Sequence, residues 1–187
     1  GADAIKTGML HDVPVIEAVC DELDARARSI PLVVDPVMIA KGGHPLIDAD
    51  AIETLKARLL PLATVITPNL PEAEALVGRP IRTLDEMRAA ADALRGLGAP
   101  GVLLKGGHME GSALTDLLVT ADGVEEFTST RIDTRHTHAE IGEGVNGQCE
   151  FVMIGKWLWP KFFRWSHTHS ELRKCFIEKS KMEKPCD

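Results

Sequence analysis

Three short apolar runs constrain the fold of this chain more than any other feature. The runs are residues 31–35 (PLVVD), 64–67 (TVIT) and 101–105 (GVLLK). Each is too short for a helix and is rich in aliphatic or β-branched residues, which is typical of a parallel strand buried inside a sheet. Segments with helical periodicity lie between the runs. Strands that alternate with helices predict an α/β fold with a mostly parallel sheet flanked by helices.

A capping residue precedes the first predicted helix. Asp12 can accept a hydrogen bond from a backbone N–H group of the first helical turn. Apolar residues then recur every four positions, at Val15, Val19, Leu23 and Ala27. This repeat predicts that these four residues share the buried face of the helix.

Two further helices are predicted after the second apolar run, residues 64–67. One is predicted over residues 71–77, with Gly78 closing it. Thr83 and Glu86 have the spacing of a capping box, T-x-x-E, before a helix that Gly98 is expected to end.

The remaining strands are predicted near the two ends of this α/β region. Residues 4–10 form a plausible first strand. Residues 116–120 and 124–129 flank a turn at 121–123, which predicts a hairpin at a sheet edge.

Composition excludes several functional classes. With 21 basic and 28 acidic side chains, the net charge of −7 argues against a nucleic-acid or anionic-membrane surface. No run approaches 18 consecutive apolar residues, so no membrane span is predicted. Residues 1–10 lack the layout of a signal peptide, and we expect a cytoplasmic protein whose four cysteines are reduced. Because Met is not the first residue, we expect the true start upstream.

The chain changes in composition near residue 138. Of its eight Phe and Trp residues, seven lie in residues 139–187, whereas 19 of its 20 alanines lie in residues 1–138. We therefore interpret residues 1–138 as one α/β domain and residues 139–187 as an unrelated tail.

Polar residues follow each of the three apolar runs. Asp35 ends the first run, Asn69 and Glu72 follow the second, and Lys105 ends the third. Ligands of parallel α/β sheets bind beyond the carboxyl ends of the strands. A carboxylate there can hold Mg²⁺ or its water shell, and a lysine beside glycines suits a phosphate. Asn69 and Glu72 also have capping-box spacing, and both interpretations can hold because helix N-termini bind phosphate.

The motifs around these residues, taken in order, resemble one family. They are Asp-Pro-Val-Met at 35–38, Thr-Pro-Asn-Leu-Pro-Glu-Ala-Glu at 67–74 and Val-Leu-Leu-Lys-Gly-Gly-His at 102–108. Residues 1–138 are similar to the hydroxymethylpyrimidine/phosphomethylpyrimidine kinases of thiamine biosynthesis, within the ribokinase-like superfamily. The resemblance implies a three-layer fold, here incomplete at both ends. It also implies ATP-dependent phosphorylation of 4-amino-5-hydroxymethyl-2-methylpyrimidine and of its monophosphate.

The resemblance also implies roles for individual residues. Asp35 and Glu72 would organise Mg²⁺ and the ATP phosphates, and Asn69 would help to position the nucleotide. Lys105 would stabilise charge on the transferring group, and Val37 would contact the pyrimidine through its backbone. The family implies a homodimer as well. Pyridoxal kinases, a related branch, are the closest catalytic alternative.

The chain departs from the family pattern directly after His138. The family continues Gly-Thr-Gly-Cys, whose backbone amides form an anion hole, whereas residues 139–142 here are Ala-Glu-Ile-Gly. We therefore expect this chain to transfer phosphate poorly or not at all. The tail is interpreted as frame-shifted or non-coding sequence, and a non-catalytic protein that still binds nucleotide or a partner is the alternative.

Overall fold

A computed structural model of the protein describes residues 2–40, 44–106 and 113–130. All of them belong to one unit, Gly1–Thr134. The predicted boundary at residue 138 and the interpretation of residues 139–187 lie outside the described residues and stay predictions.

Within the described residues, six strands form one mixed sheet in chain order: β1 (Ile5–Thr7), β2 (Leu32–Val34), β3 (Val65–Ile66), β4 (Gly101–Leu104), β5 (Ala113–Thr120) and β6 (Gly123–Thr130). Strands β1 to β4 are parallel to one another, and β5 and β6 add an antiparallel hairpin at one edge. The predicted parallel strands and the edge hairpin are both confirmed.

In the part of the chain that the structure describes, four α-helices flank the sheet: α1 (Val13–Arg26), α2 (Ala49–Thr54), α3 (Leu70–Val77) and α4 (Leu84–Arg95). After α2 the chain continues through a π-helical turn, Leu55–Leu59, and a 3-10 turn, Leu60–Leu62, before it enters β3. No helix in the described ranges has both the length and the apolar character needed to cross a membrane.

Helix α1 begins as predicted, and its buried face coincides in part with the predicted one. The Asp12 side chain accepts a hydrogen bond from the Val15 N–H group at 2.9 Å, which confirms the cap. Ile16 and Cys20 are fully buried, whereas Val15 is 41% exposed. Val19 and Leu23 are partly buried and pack against the core as predicted, whereas the prediction is wrong for Val15. The buried face follows the i, i+3, i+4, i+7 spacing of Ile16, Val19, Cys20 and Leu23, of which a strict four-residue repeat selects only part.

The predicted end of α3 is confirmed, and the predicted end of α4 is wrong. Gly78 closes α3 in the left-handed conformation, with φ of 71°, which favours glycine. Gly96, rather than Gly98, caps α4. Gly98 lies in the following turn with φ of 110°, and a Cβ atom there would come within 3.2 Å of Pro61.

The core lies on the central strands and the helix faces against them. Strands β2, β3 and β4 are buried along their whole length, as expected for parallel strands covered on both sides. Helix α4 contributes four residues that are fully buried: Met87, Ala90, Ala91 and Leu94. This packing holds the carboxyl ends of β1 to β4 along one edge of the sheet.

Candidate active site

The carboxyl ends of the parallel strands are held in register by the backbone. Three hydrogen bonds continue the ladder past the strand ends: Asp35 N–H to Thr7 O at 3.0 Å, Thr67 N–H to Val34 O at 2.9 Å and Lys105 N–H to Pro68 O at 2.9 Å. The residues that leave β2, β3 and β4 are therefore neighbours in space.

The Asp35 carboxylate lies at the centre of this edge. Its Oδ2 atom is 3.1 Å from Lys6 Nζ, and its Oδ1 atom is 3.4 Å from Lys105 Nζ. The Thr67 hydroxyl donates to Oδ1 at 3.3 Å. The side chain of Asp35 is 16% exposed, so these charges interact more strongly than they would in bulk water. The structure thus brings together Asp35 and Lys105, which are far apart in the sequence.

Asn69 and Glu72 form a capping box at the start of α3. Asn69 Oδ1 accepts a hydrogen bond from the Glu72 N–H group at 2.9 Å, and Glu72 Oε2 accepts one from the Asn69 N–H group at 2.8 Å. Glu72 is 3% exposed. An isolated parallel bridge pairs Asn69 with Lys105, which places the helix start beside the end of β4. The capping interpretation is confirmed, and the nucleotide and metal roles of these residues stay predictions.

The segment after β4 begins with a glycine that has a packing requirement. Gly106 is buried, and a Cβ atom at that position would lie 1.9 Å from the Thr115 carbonyl oxygen of β5. The second glycine of the motif, Gly107, and His108 lie outside the described residues. The close approach to β5 therefore requires glycine at position 106, independently of any role in binding a phosphate.

Val37 lies in the turn that follows Asp35. Its N–H group donates to the Asp35 carbonyl oxygen at 2.8 Å, across the buried Pro36. A backbone contact between Val37 and a substrate would therefore use its carbonyl oxygen. Its substrate-binding role stays a prediction.

Sequence reasoning missed two residues of this edge, Lys6 and Thr67. Lys6 lies in β1, directly opposite Val33 of β2, and reaches Asp35 from there. Thr67 follows β3 just as Asp35 follows β2, since Val34 and Ile66 are paired in the parallel register. A polar residue at matching positions of two neighbouring parallel strands is the signal that could have identified Thr67.

The carboxylates present suit magnesium held partly by phosphate. No three His, Cys, Asp or Glu side chains in the described part of the chain are grouped as a metal cluster. Mg²⁺ is usually bound by one or two carboxylates together with water and substrate phosphates. Asp35 and Glu72 supply carboxylate oxygens of the type that Mg²⁺ binds, and their role as its ligands stays a prediction.

Known proteins resemble this chain in sequence. The family model described as phosphomethylpyrimidine kinase matches residues 1–142. A hydroxymethylpyrimidine/phosphomethylpyrimidine kinase of Salmonella typhimurium is 41% identical over 172 residues, which covers 91% of this chain and 62% of that protein. The chain thus spans less than two thirds of that relative's length. An alignment of 172 residues also includes part of the segment after residue 138.

Solved structures share the fold. An ADP complex of Bacillus subtilis pyridoxal kinase has a TM-score of 0.67 at 38% identity, covering 74% of this chain and 52% of that one. A phosphomethylpyrimidine kinase of Clostridium difficile 630 has a TM-score of 0.63 at 38% identity, covering 68% and 54% respectively. These neighbours are ribokinase-like kinases, so the predicted fold class is confirmed. The family match extends over more than half of this chain, which therefore belongs to the phosphomethylpyrimidine kinase family.

Proposed function

We propose that residues 1–138 form the nucleotide- and magnesium-binding part of a hydroxymethylpyrimidine/phosphomethylpyrimidine kinase. The reaction is transfer of the γ-phosphoryl group of ATP to 4-amino-5-hydroxymethyl-2-methylpyrimidine, and then to the resulting monophosphate. The observation that carries the proposal is the Asp35 carboxylate, which lies between Lys6 and Lys105 at the carboxyl edge of the sheet.

Phosphoryl transfer requires positioning and charge neutralisation more than covalent chemistry. Lys105 supplies a positive charge from the end of a buried strand, where its backbone is bonded to Pro68. The N-terminus of α3 lies beside it, and the positive end of the helix dipole favours an anion there. In this proposal Asn69 positions the nucleotide at that helix start.

Asp35 and Glu72 would hold Mg²⁺ at this edge, where the ion would neutralise charge on the nucleotide phosphates. Lys6 and Lys105 compete with a cation for the Asp35 carboxylate. A phosphate bound beside the two ammonium groups offsets their charge, so nucleotide and metal are expected to bind cooperatively.

The substrate side of the proposal rests on fewer contacts. The pyrimidine would meet the Val37 carbonyl oxygen, in the turn that follows Asp35. Pyridoxal is the second candidate substrate, because the Bacillus subtilis neighbour is a pyridoxal kinase. A homodimer and a cytoplasmic location belong to the same proposal.

This chain is expected to transfer phosphate slowly. Residues 139–142 lack the Gly-Thr-Gly-Cys sequence of the family. Loss of a single anion-hole donor lowers a rate by about 10²–10³-fold, and here the whole motif is replaced.

The test begins with the affinity of the full chain for ADP, measured by calorimetry with and without Mg²⁺. Transfer of labelled phosphate from ATP is then measured with hydroxymethylpyrimidine, its monophosphate and pyridoxal as acceptors. We expect magnesium-dependent binding and slow transfer that favours the pyrimidines. Failure to bind ADP in the presence of Mg²⁺ would contradict the proposal. Faster transfer to pyridoxal would assign the second substrate instead.

The impaired rate has its own test. The combined variant Ala139→Gly, Glu140→Thr, Ile141→Gly and Gly142→Cys restores the family motif. We expect transfer to rise by about 10²-fold, as anion-hole donors typically contribute. The matched control adds Lys105→Met, which should abolish the gain. A chain that binds nucleotide but transfers nothing even with the restored motif is a non-catalytic protein.

A further inference from the structure

Asp116 contacts the segment that follows the candidate lysine. Asp116 lies in β5, where its neighbour Leu117 is paired with Leu104, the last residue of β4. Its Oδ1 atom accepts a hydrogen bond from the Gly106 N–H group at 2.8 Å. A side chain of β5 therefore continues the attachment of the chain beyond the end of the β4 ladder.

Gly106 also lies so close to the backbone of β5 that there is no space for a side chain. A Cβ atom at this position would lie 1.9 Å from the Thr115 carbonyl oxygen and 2.9 Å from the Thr115 carbonyl carbon. Any residue other than glycine would push the segment away from β5 and stretch the bond to Asp116. The absence of a side chain at Gly106 thus allows the close approach that the hydrogen bond to Asp116 requires.

Lys105 lies between two anchored amides. Its own N–H group donates to Pro68 on the β3 side, and the following N–H group donates to Asp116 on the β5 side. The side chain of Lys105, which is 20% exposed, extends from this doubly held backbone towards Asp35. Loosening either amide would let the lysine ammonium group move relative to the other charges at the edge.

We propose that Asp116 is a positioning residue for Lys105, acting through the Gly106 amide. The proposal rests on the proposed function for the role of Lys105, although the attachment itself does not depend on it. A hydrogen bond from an amide to a carboxylate is shorter and stronger than one between neutral groups, which suits a fixed attachment point. If Asp116 only stabilised the fold, its replacement would lower the stability of the protein without moving the Lys105 side chain.

The experiment compares Asp116→Ala, Asp116→Asn and Glu126→Gln in the full chain, labelled with ¹⁵N and ¹³C. Glu126→Gln is the matched control, because it removes the charge of a carboxylate on the neighbouring strand β6 that pairs with Arg88 of α4. NMR follows the Gly106 amide and the Lys105 side-chain signals. Calorimetry gives the affinity for Mg²⁺–ADP, and thermal melting shows that each variant is folded.

We expect Asp116→Ala to speed exchange of the Gly106 amide, to shift the Lys105 signals and to weaken Mg²⁺–ADP binding about tenfold, as loss of a supporting partner typically does. Asp116→Asn keeps an acceptor oxygen. Its Gly106 and Lys105 signals and its affinity for Mg²⁺–ADP should therefore be close to those of the unmodified chain. The control should change neither.

Lys105 signals in Asp116→Ala that match those of the control would overturn the proposal, whatever the affinity. If the unmodified chain binds no Mg²⁺–ADP, the proposed function fails and the Lys105 signals alone decide this inference. A shift then supports the positioning role, and no shift rejects it.

Discussion

Helices α3 and α4 begin with the same motif in different surroundings. In both helices the third residue is a glutamate. Its backbone N–H group donates a hydrogen bond to the N-cap side chain, and its carboxylate accepts one from the N-cap backbone N–H group. Glu72 of α3 is 3% exposed, whereas Glu86 of α4 is exposed. Two capping boxes with equivalent local hydrogen bonds thus occupy a buried and a solvent-facing position.

The sheet explains the difference between the two helix starts. Helix α3 starts directly after β3, so its N-terminus lies at the carboxyl edge beside Lys105. Helix α4 follows α3 and starts at the exposed Thr83. A capping box is therefore a helix signal in both places, and only the topology makes one of them a candidate ligand site.

The largest effect that separates the two boxes is expected on metal-dependent nucleotide binding. Glu72→Gln and Glu86→Gln each keep a side-chain oxygen for the cap but remove the negative charge. Glu72→Gln should lower the Mg²⁺-dependent affinity for ADP by about tenfold or more, because a candidate magnesium ligand is lost. Glu86→Gln should leave the affinity unchanged. Calorimetry with and without Mg²⁺ measures both affinities. Equal affinities in the two variants would show that the capping box of α3 has no role in nucleotide binding that the capping box of α4 lacks.

A smaller effect is expected on stability when the N-cap side chains are removed. Asn69→Ala should lower the free energy of unfolding by about 1–2 kcal/mol, and Thr83→Ala by about 0.5–1 kcal/mol. The reason is that water replaces the lost acceptor more easily at the exposed box. Urea denaturation measures both values.

The control for this comparison is Asn69→Ser, which keeps a capping oxygen and should recover most of the loss. A cost for Thr83→Ala equal to or larger than that for Asn69→Ala would show that burial does not distinguish the two caps.

The sequence predicted those parts of the fold that depend on local chemistry. The apolar runs identified β2, β3 and β4, because strands buried on both faces contain few polar residues. The caps at Asp12 and Thr83 were equally local, since each bonds within its own first turn. The buried face of α1 was predicted in part, since Val19 and Leu23 pack against the core but a strict four-residue repeat leaves out Ile16 and Cys20.

The candidate site was predictable where a polar residue directly follows a strand. Asp35 and Lys105 were found in this way, and their contact at 3.4 Å follows from the parallel order of the strands. Lys6 was missed because it lies inside a strand and reaches the site only through its long side chain. The π-helical turn Leu55–Leu59 gave no signal, since its residues continue the helical pattern of α2.

The smallest effect concerns acid and should be seen at the exposed box. Hydrogen bonds from the Arg82 and Thr83 backbone N–H groups hold the pKa of Glu86 below its ordinary value. Since the pKa is lower in the folded chain, Glu86 stabilises the fold at pH above the ordinary glutamate value of about 4.3. That contribution is lost as the pH falls through the folded value. Glu86→Gln should therefore be less stable than the unmodified chain near neutral pH, with a difference that vanishes in acid. Urea midpoints across this pH range measure it, and a difference that stays constant or grows in acid would show that the charge of Glu86 does not support the cap.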